Sequence, residues 1–380
     1  MLSIQKRGSI AIVLAMIFGV AAVSQAEKKE GGKKRLLTPT IGVNLPDEHN
    51  TPDGMCLDGE GNILLACPNF NTNTEGNTVP AWIVKITPED KLVKFFEMPV
   101  HPETKKACPL GIDLGSDGNL YVADCQALGG DNNYKSRLLR VVIKDGKAVK
   151  CESVVEGFVM SNAVAANGDC IYVTETALAP ESEPGKHESG VYRFKISDLD
   201  GDKPIQLKKG GTDPHLVCKL VTKNEEWQVG ANGLGFAADG TMYVCNFGDA
   251  QLVGVELDDN GKAKKQWVIA EGGPIKSTDG LKVCKKTGLV FIADFLGNAV
   301  HCVCPKSGKV RMLAQNDITD GAGGALDKCS EVCLRDGKIY VANIDLNLDG
   351  NTFDKPYTVS VIEMKKGKNK EKKGKKAKKE

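Results

Sequence analysis

Apolar and polar residues alternate in short runs along most of this chain, and turns that contain Gly separate the runs. Two alternating runs around Asp-Gly or a similar pair are the usual sequence signal of a β-hairpin. One clear case runs from Gly111 through the Asp117-Gly118 turn to Asp124. The same pattern occurs six times, with turns at Glu60-Gly61, Asp117-Gly118, Asn167-Gly168, Asp239-Gly240, Thr287-Gly288 and Asp336-Gly337.

The hairpins recur at intervals of 47 to 70 residues and open at Asp53, Leu110, Asn162, Asn232, Asp279 and Glu331. Two weaker alternating runs follow a hairpin, for example Trp82 to Ile86 and Leu92 to Phe96. Four strands per unit, repeated six times, predict an all-β fold: a six-bladed β-propeller with four-stranded blades. The last hairpin is followed by a single run, so we expect an N-terminal strand within residues 36–46 to complete that blade and close the ring.

The two ends of the chain do not fit this pattern. Residues 1–26 contain Lys6 and Arg7, an apolar run to Val23 and small residues up to Ala26, which predicts a secretory signal peptide cleaved after Ala26. An uncleaved membrane anchor is the alternative. Residues 27–35 are a basic linker, and residues 365–380 are a Lys-rich tail that we expect to be disordered. The propeller is therefore assigned to residues 36–364 of a secreted or periplasmic protein.

Charge is divided unevenly along the chain. The whole sequence has a formal net charge of +1 at pH 7, and both ends are basic, so the central region is acidic. An acidic core argues against nucleic-acid binding, which requires a basic face. The Lys-rich tail is a candidate for contact with anionic surfaces, although a solvated tail is the simpler interpretation. We expect a monomer that acts on a small molecule.

Cysteine and histidine usage gives little support for other metal chemistry. The thirteen Cys are an odd number, so in an oxidising compartment at least one thiol is free or pairs with another chain. Cys56 and Cys67 lie on the two strands of one hairpin, but the sequence does not determine a pairing. The five His form no pair with zinc-ligand spacing, and we expect most of them at the surface or in loops. The segment from Asp345 to Gly350 lacks the full ligand spacing of a calcium loop and is interpreted as an ordinary loop.

The start of the first strand and the end of the second strand of a blade share one face of a propeller. The residues that open the hairpins are therefore expected around one channel mouth, together with Asn69, Asp124, Glu175, Asn246, Asp294 and Asn343. Carboxylate and amide oxygens are the ligands that Ca²⁺ prefers. Turn chemistry alone also favours Asn and Asp before Gly, so a metal site and ordinary turns explain these residues equally well.

At these positions the sequence resembles the senescence-marker-protein/gluconolactonase/luciferin-regenerating-enzyme family, whose six-bladed propellers hold a divalent cation, usually Ca²⁺, in the central channel. The resemblance implies metal ligands at Asp53, Asn162, Asn232 and Asp279. It places Glu331, Asp294, Glu175 and Asn246 around these ligands or at the rim. Two departures stand out: Asp53 replaces the family's Glu, and Met160 replaces the Arg of lactonase members.

The resemblance implies an exported, calcium-dependent hydrolase that acts on a small lactone, ester or related substrate, with other divalent cations as alternatives to Ca²⁺. Asp279 would be the catalytic base or nucleophile, or a metal ligand alone, and Asn162 and Asn232 would also orient the substrate. Because Met160 replaces the Arg, gluconolactone itself is not expected as the substrate. The alternative is a non-catalytic propeller that binds a ligand or a protein.

Overall fold

The structure is a computed structural model that describes residues 35–73, 79–127 and 133–364. Its strands form six mainly antiparallel sheets in a propeller arrangement, which confirms the predicted fold. The predicted signal peptide, all but Arg35 of the basic linker, and the Lys-rich tail lie outside the described residues. No helix within the described ranges is long and apolar enough to cross a membrane.

The chain enters through strand β1 (Thr40–Asn44) and then builds the blades in order. Blade 1 consists of β2 (Met55–Leu57), β3 (Ile63–Cys67), β4 (Trp82–Ile86) and β5 (Leu92–Glu97). Blade 2 consists of β6 (Pro109–Leu114), β7 (Leu120–Asp124), β8 (Ser136–Lys144) and β9 (Lys147–Phe158). Blade 3 consists of β10 (Ser161–Asn167), β11 (Cys170–Glu175), β12 (His187–Lys195) and, after the short β13 (Ile205–Gln206), β14 (Leu216–Thr222).

The second half of the molecule repeats this order. Blade 4 consists of β15 (Ala231–Phe236), β16 (Met242–Asn246), β17 (Gln251–Leu257) and β18 (Ala263–Glu271). Blade 5 consists of β19 (Leu281–Val283), β20 (Val290–Asp294), β21 (Ala299–Cys304) and β22 (Lys309–Gln315). Blade 6 consists of β23 (Cys329–Arg335), β24 (Lys338–Asn343), β25 (Thr358–Glu363) and β1. The helical segments are short: α1 (Phe70–Asn73) and three 3₁₀ turns, Asp47–His49, Ile196–Asp198 and Ala322–Gly324.

The N-terminal strand closes the ring as predicted. β1 pairs antiparallel with β25, with Thr40 opposite Val361, and becomes the outer strand of blade 6. The N–H of Leu45 extends this pairing by donating to the carbonyl of Tyr357 at 2.8 Å. The last blade therefore combines both ends of the folded region.

The longest interval of the repeat, in blade 3, has a structural explanation. The chain leaves β12, forms the two-residue strand β13 and returns as β14. β13 pairs in parallel with β9, with Ile205 opposite Val155, and so adds a fifth strand to the outer edge of blade 2. The inserted residues thus cover an outer edge of a neighbouring blade.

The apolar core is divided among the six contacts between neighbouring blades. At each of these contacts one buried cluster takes its side chains from two adjacent blades, such as Leu64 and Ile83 of blade 1 with Val122 and Val141 of blade 2. A further cluster, Phe247, Phe295 and Ile344, joins blades 4, 5 and 6. The second strand of a blade is covered on both faces, and every residue of β3 is buried. β5 lies at the outer edge and none of its residues is buried.

The thiols of Cys56 and Cys67 are both free. Cys56 lies opposite Leu64 and Cys67 opposite Trp82, so these two thiols do not face each other across the hairpin. Nine of the cysteines are buried, where they act as small apolar side chains.

Candidate functional site

The inner strands of the blades form a closed ring. β2, β6, β10, β15, β19 and β23 contact one another in this order, and β23 contacts β2 again. In blades 1, 2, 4 and 5 a glycine directly after the hairpin-opening residue allows the close approach. A Cβ on Gly54 would lie 2.4 Å from the carbonyl oxygen of Leu110, and a Cβ on Gly280 would lie 2.5 Å from that of Ser330. The predicted hairpin glycines therefore set the width of the channel.

The predicted site residues occupy one equivalent position on their strands. In blade 1, Asp53 lies three residues before Cys56, which pairs with Leu64 of the second strand. The site residues of blades 3, 4 and 5 lie three residues before the residues that pair with Tyr172, Tyr243 and Phe291. This position is held by Asp53, Asn162, Asn232 and Asp279 in blades 1, 3, 4 and 5, and by Leu110 in blade 2. In blade 6 the residue that pairs with Tyr340 is Cys333, and the position three residues before it is Ser330. The predicted residue Glu331 lies one residue further along β23.

The structure brings Asp53, Asn232 and Asp279 together. The side-chain amide of Asn232 hydrogen-bonds to the Asp279 carboxylate. Burial raises the pKa of Asp279 well above its ordinary value, and the carboxylates of Asp53 and Glu331 raise it further. Asp279 remains partly exposed because its side chain faces the channel. Burial also raises the pKa of Asp53 to about 6, and a hydrogen bond with Ser330 only partly opposes that shift.

Two further charged residues, Asp113 and Lys282, lie on the inner strands three residues after Leu110 and Asp279. The ammonium of Lys282 donates to the carbonyl of Met55 at 3.1 Å. Burial disfavours the charge of Lys282, but the carboxylates of Glu331 and Asp113 outweigh burial and raise its pKa. Burial raises the pKa of Glu331 to about 8 in spite of Lys282. Lys282 and Asp113 were not predicted as site residues, although their spacing of three from Asp279 and Leu110 could have identified them.

Asn162 shares the strand position of the other three residues and is partly exposed. A Cβ on Gly111 would lie 2.6 Å from the backbone oxygen of Asn162, which shows how closely blades 2 and 3 approach there. Leu110 is buried and makes the blade 2 position of the ring apolar. The equivalent position is therefore polar in every blade of the ring except blade 2.

Three residues predicted around the ligands or at the rim lie inside the blades. Glu175, Asn246 and Asp294 are almost completely buried. Glu175 accepts a hydrogen bond from the N–H of Met160 at 2.5 Å, and Asn246 accepts one from the Thr222 hydroxyl at 2.7 Å. Their bonds connect strands and loops within and between blades.

Asp294 has the fullest set of hydrogen-bond donors of these three residues. It accepts from the N–H groups of Lys276, Ser277 and Gly297, each at 2.8 Å, and from the Ser277 hydroxyl at 3.0 Å. His301 Nε2 lies 2.9 Å from Oδ2 of Asp294, the oxygen that also accepts from Lys276. Asp294 therefore fastens the end of β20 to the segment that precedes β19.

The histidines are more buried than expected, although His49, His101 and His215 lie outside the strands. His49, His101, His187 and His301 are buried, and two of them lie within strands. His187 Nε2 lies 2.7 Å from the carbonyl oxygen of Thr176, and His301 pairs with Asp294. Both ring nitrogens of His187 have partners, the Ser182 hydroxyl and the Thr176 carbonyl, whereas Nδ1 of His301 is buried without a partner among the described residues.

The channel residues fit a hard divalent cation. Asp53 and Asp279 supply carboxylate oxygens, Asn232 supplies an amide, and Asn162 supplies a further amide at the equivalent strand position. Among the described side chains, the main electrostatic influences on Asp279 are other carboxylates. Two buried carboxylates that repel each other are stabilised by a shared cation or by a retained proton.

A scan against protein-family models finds no matching family, and a search of curated proteins finds no match. Solved structures do match. A luciferin-regenerating enzyme has a TM-score of 0.53 and 16% identity and covers 85% of this chain and 94% of its own. A gluconolactonase from Xanthomonas campestris has a TM-score of 0.50 and 13% identity and covers 88% of this chain and 98% of its own. These neighbours are of the kinds that the sequence resembles.

A PQQ-bound aldose sugar dehydrogenase from Streptomyces coelicolor is equally similar, with a TM-score of 0.52 and 14% identity over 86% of this chain and 96% of its own. Hydrolases and an oxidoreductase thus match to the same degree. At these identities the comparisons establish the fold, and the function has to come from the site.

Proposed function

We propose that this protein is a hydrolase of small lactones, esters or related substrates, and that it uses a divalent cation, Ca²⁺ in the first place, bound in the central channel. The observation that favours this function is the proximity of Asp53, Asn232 and Asp279, because the Asn232 side chain hydrogen-bonds to Asp279 and the Asp53 carboxylate repels it. The Asp53 carboxylate is buried, and its charge raises the pKa of the neighbouring Asp279, which is partly exposed. Such groups, with pKa values shifted by burial and by like charge, are typical of functional sites.

Asp53, Asn162, Asn232 and Asp279 would hold the cation, as the family resemblance implies. A bound cation would supply Lewis-acid polarisation of the substrate's carbonyl or phosphoryl oxygen. Asp279 would take the proton from an attacking water or attack directly, because this residue is partly exposed. The Asn232 amide, which hydrogen-bonds to Asp279, would hold that carboxylate in one orientation.

The substrate is expected to differ from a sugar acid lactone. Met160 stands where lactonase members of the family carry Arg, and Leu110 makes one wall of the channel apolar. A small, mainly apolar lactone or ester suits this lining better than a polyhydroxylated ring does.

The second candidate function is a non-catalytic propeller that binds a ligand or a protein. Asp53 and Met160 favour it, because both depart from the pattern of the hydrolytic family. In this case the channel carboxylates would bind a cation that only makes the ring rigid. We also propose that the protein is exported, that it is a monomer and that its Lys-rich tail contacts anionic surfaces.

The first experiment measures bound metal and hydrolysis together. We expect purified protein to contain a divalent cation that chelator removes, and to hydrolyse members of a lactone and arylester panel only when the cation is present. Asp279→Asn and Asn232→Ala should each lower the cation affinity of the channel at least tenfold. Asp239→Asn is the matched control, because Asp239 is an exposed hairpin-turn residue of blade 4.

The two candidate functions give different results. Cation binding that depends on Asp279, without turnover of any panel member, would identify the binding propeller. A protein whose channel variants bind cation as the wild type does, and whose melting temperature chelator leaves unchanged, would overturn both.

A further inference from the structure

Three Asp side chains meet beside the seam at which the ring closes. Asp327 lies in the segment before β23, and Asp345 and Asp354 lie in the loop between β24 and β25. One carboxylate oxygen from each lies within 4.8 Å of the other two. Asp327 and Asp345 are 2% exposed, and Asp354 is half-buried. We call these three residues the seam cluster.

Two oxygens of the seam cluster receive no hydrogen bond from the described residues: Oδ1 of Asp327 and Oδ1 of Asp354. The neutral side chain of Asn351 gives an independent indication. It is 3% exposed, and its Nδ2 donates to Oδ1 of Asp345 at 2.8 Å, which holds the amide against the cluster. Its own Oδ1 is buried without a hydrogen-bond partner. A buried amide oxygen in this position needs a donor or a cation.

The nearest ammonium does not neutralise these carboxylates by a direct contact. Nζ of Lys328 lies 2.7 Å from Oδ2 of Asp349, which is outside the seam cluster. Burial raises the pKa of Asp327 to about 8, and the carboxylates of Asp345, Asp354 and Asp320 add to the shift. Burial likewise raises the pKa of Asp345 to about 7.

We propose that Asp327, Asp345, Asp354 and the amide oxygen of Asn351 form a second calcium site. Ca²⁺ binds oxygen ligands at about 2.3–2.6 Å, so ligand oxygens within 4.8 Å of one another can share one ion. Three carboxylates and one amide provide four of the roughly six to eight ligands, and water can supply the rest. This site is independent of the proposed function, which uses the channel residues.

The position of the seam cluster indicates what the ion does. The cluster joins the segment from blade 5 to blade 6 with the loop that leads into β25, the strand that pairs with β1. The same segment contacts β1 directly, since a Cβ on Gly324 would lie 2.1 Å from the backbone N of Ile41. A bound ion would therefore fasten the closing strands of the ring.

The test uses the full-length protein after removal of metal by chelator. Calorimetric titration with Ca²⁺ should detect two sites in the wild type. Asp327→Asn should lose the seam ion and keep the channel ion and any hydrolysis, whereas Asp279→Asn should do the reverse. Asp354→Asn is a second seam variant, and Asp336→Asn, at the exposed turn of blade 6, is the matched control.

Hydrogen exchange gives a readout other than ion counting. Ca²⁺ should slow exchange at least tenfold in β1 and β25 of the wild type and of Asp279→Asn, but not of Asp327→Asn. A single ion that is lost in Asp279→Asn and retained in both seam variants would overturn this inference and leave the proposed function intact. A single ion with the opposite dependence would support the seam site and count against the channel site. Absence of any Ca²⁺ binding would overturn both.

Discussion

Two aspartates of blade 5, Asp279 and Asp294, are carried by adjacent strands and have opposite surroundings. Asp294 is completely buried and accepts five hydrogen bonds, from three backbone N–H groups, the Ser277 hydroxyl and His301. Asp279 is partly exposed, has the Asn232 amide as its side-chain donor and is repelled by three carboxylates, those of Asp53, Glu331 and Asp294. A carboxylate with a full set of donors stabilises the fold, and one with few donors is available to a ligand.

The largest expected effect is on the stability of the fold and follows from replacing Asp294, the carboxylate with a full set of hydrogen-bond donors. Asp294→Ala should lower the free energy of unfolding by about 3–5 kcal/mol, because it leaves buried N–H groups and His301 without an acceptor. Denaturant unfolding in the presence of chelator measures this change. Asp294→Asn keeps one acceptor oxygen and should lose less. A loss below about 1 kcal/mol in Asp294→Ala would show that these bonds are replaced by water.

The second prediction concerns the pH dependence of the metal-free channel. The pKa of Asp53 is raised to about 6 in the folded protein and is near 3.9 in an unfolded chain, so the folded state binds the proton more tightly. Stability should therefore fall as pH rises from about 4 to about 6 and change little above that, by up to about 3 kcal/mol.

The measurement is the difference in unfolding free energy between the wild type and Asp53→Asn, in chelator, across this pH range. Saturating Ca²⁺ should reduce the decline or reverse it, because the ion stabilises the ionised carboxylates. A difference that is independent of pH would mean that Asp53 is not desolvated as described.

The third prediction concerns Asp279, the carboxylate with few hydrogen-bond donors. Asp279→Asn should reduce hydrolysis about 100-fold or more, equivalent to roughly 2.7 kcal/mol of barrier. In chelator the same variant should be at least as stable as the wild type, because a repelled buried charge has been removed. The pair of measurements separates a site residue from a structural one, and a loss of stability comparable to that of Asp294→Ala would remove the distinction.

The smallest expected effect is at Lys282, which neutralises part of the channel. Lys282→Met should lower the free energy of unfolding by about 1–2 kcal/mol, because Glu331 and Asp113 lose their cationic partner while remaining partly open to water. Lys282→Arg should restore most of the loss, as measured by urea unfolding at neutral pH. An unchanged stability in Lys282→Met would indicate that channel water screens these carboxylates.

The sequence repeat made the fold predictable. The same repeat explains how far the site residues could be predicted. Strand alternation and turn glycines led to the hairpins, the four-stranded blades and the closing strand. Counting from the hairpin openings identified Asp53, Asn162, Asn232 and Asp279, because equivalent blade positions face one channel. The count alone did not separate Ser330 from Glu331, since the register of β23 shifts between Cys329 and Glu331.

The role of the Asn and Asp residues that end the second strands could not be predicted from the sequence, for a different reason. Asn and Asp in these positions look the same in the sequence whether they serve a ligand or a backbone N–H group. The surrounding donors decide, and the donors of Asp294 come from both its own loop and the segment before β19. The seam cluster was missed for a related reason: Asp327 lies on the other side of β23 and β24 from Asp345 and Asp354.

The sequence by itself determined the all-β repeat, the number of blades and the strand positions that face the channel, because alternation and turn chemistry are local properties. Only the tertiary structure decided which carboxylates are saturated with donors, that Lys282 lies beside Glu331, and that three distant Asp residues share one location. Burial and hydrogen-bond supply depend on groups far apart in the chain, and these quantities decide whether an acidic side chain stabilises the fold or remains available to bind an ion.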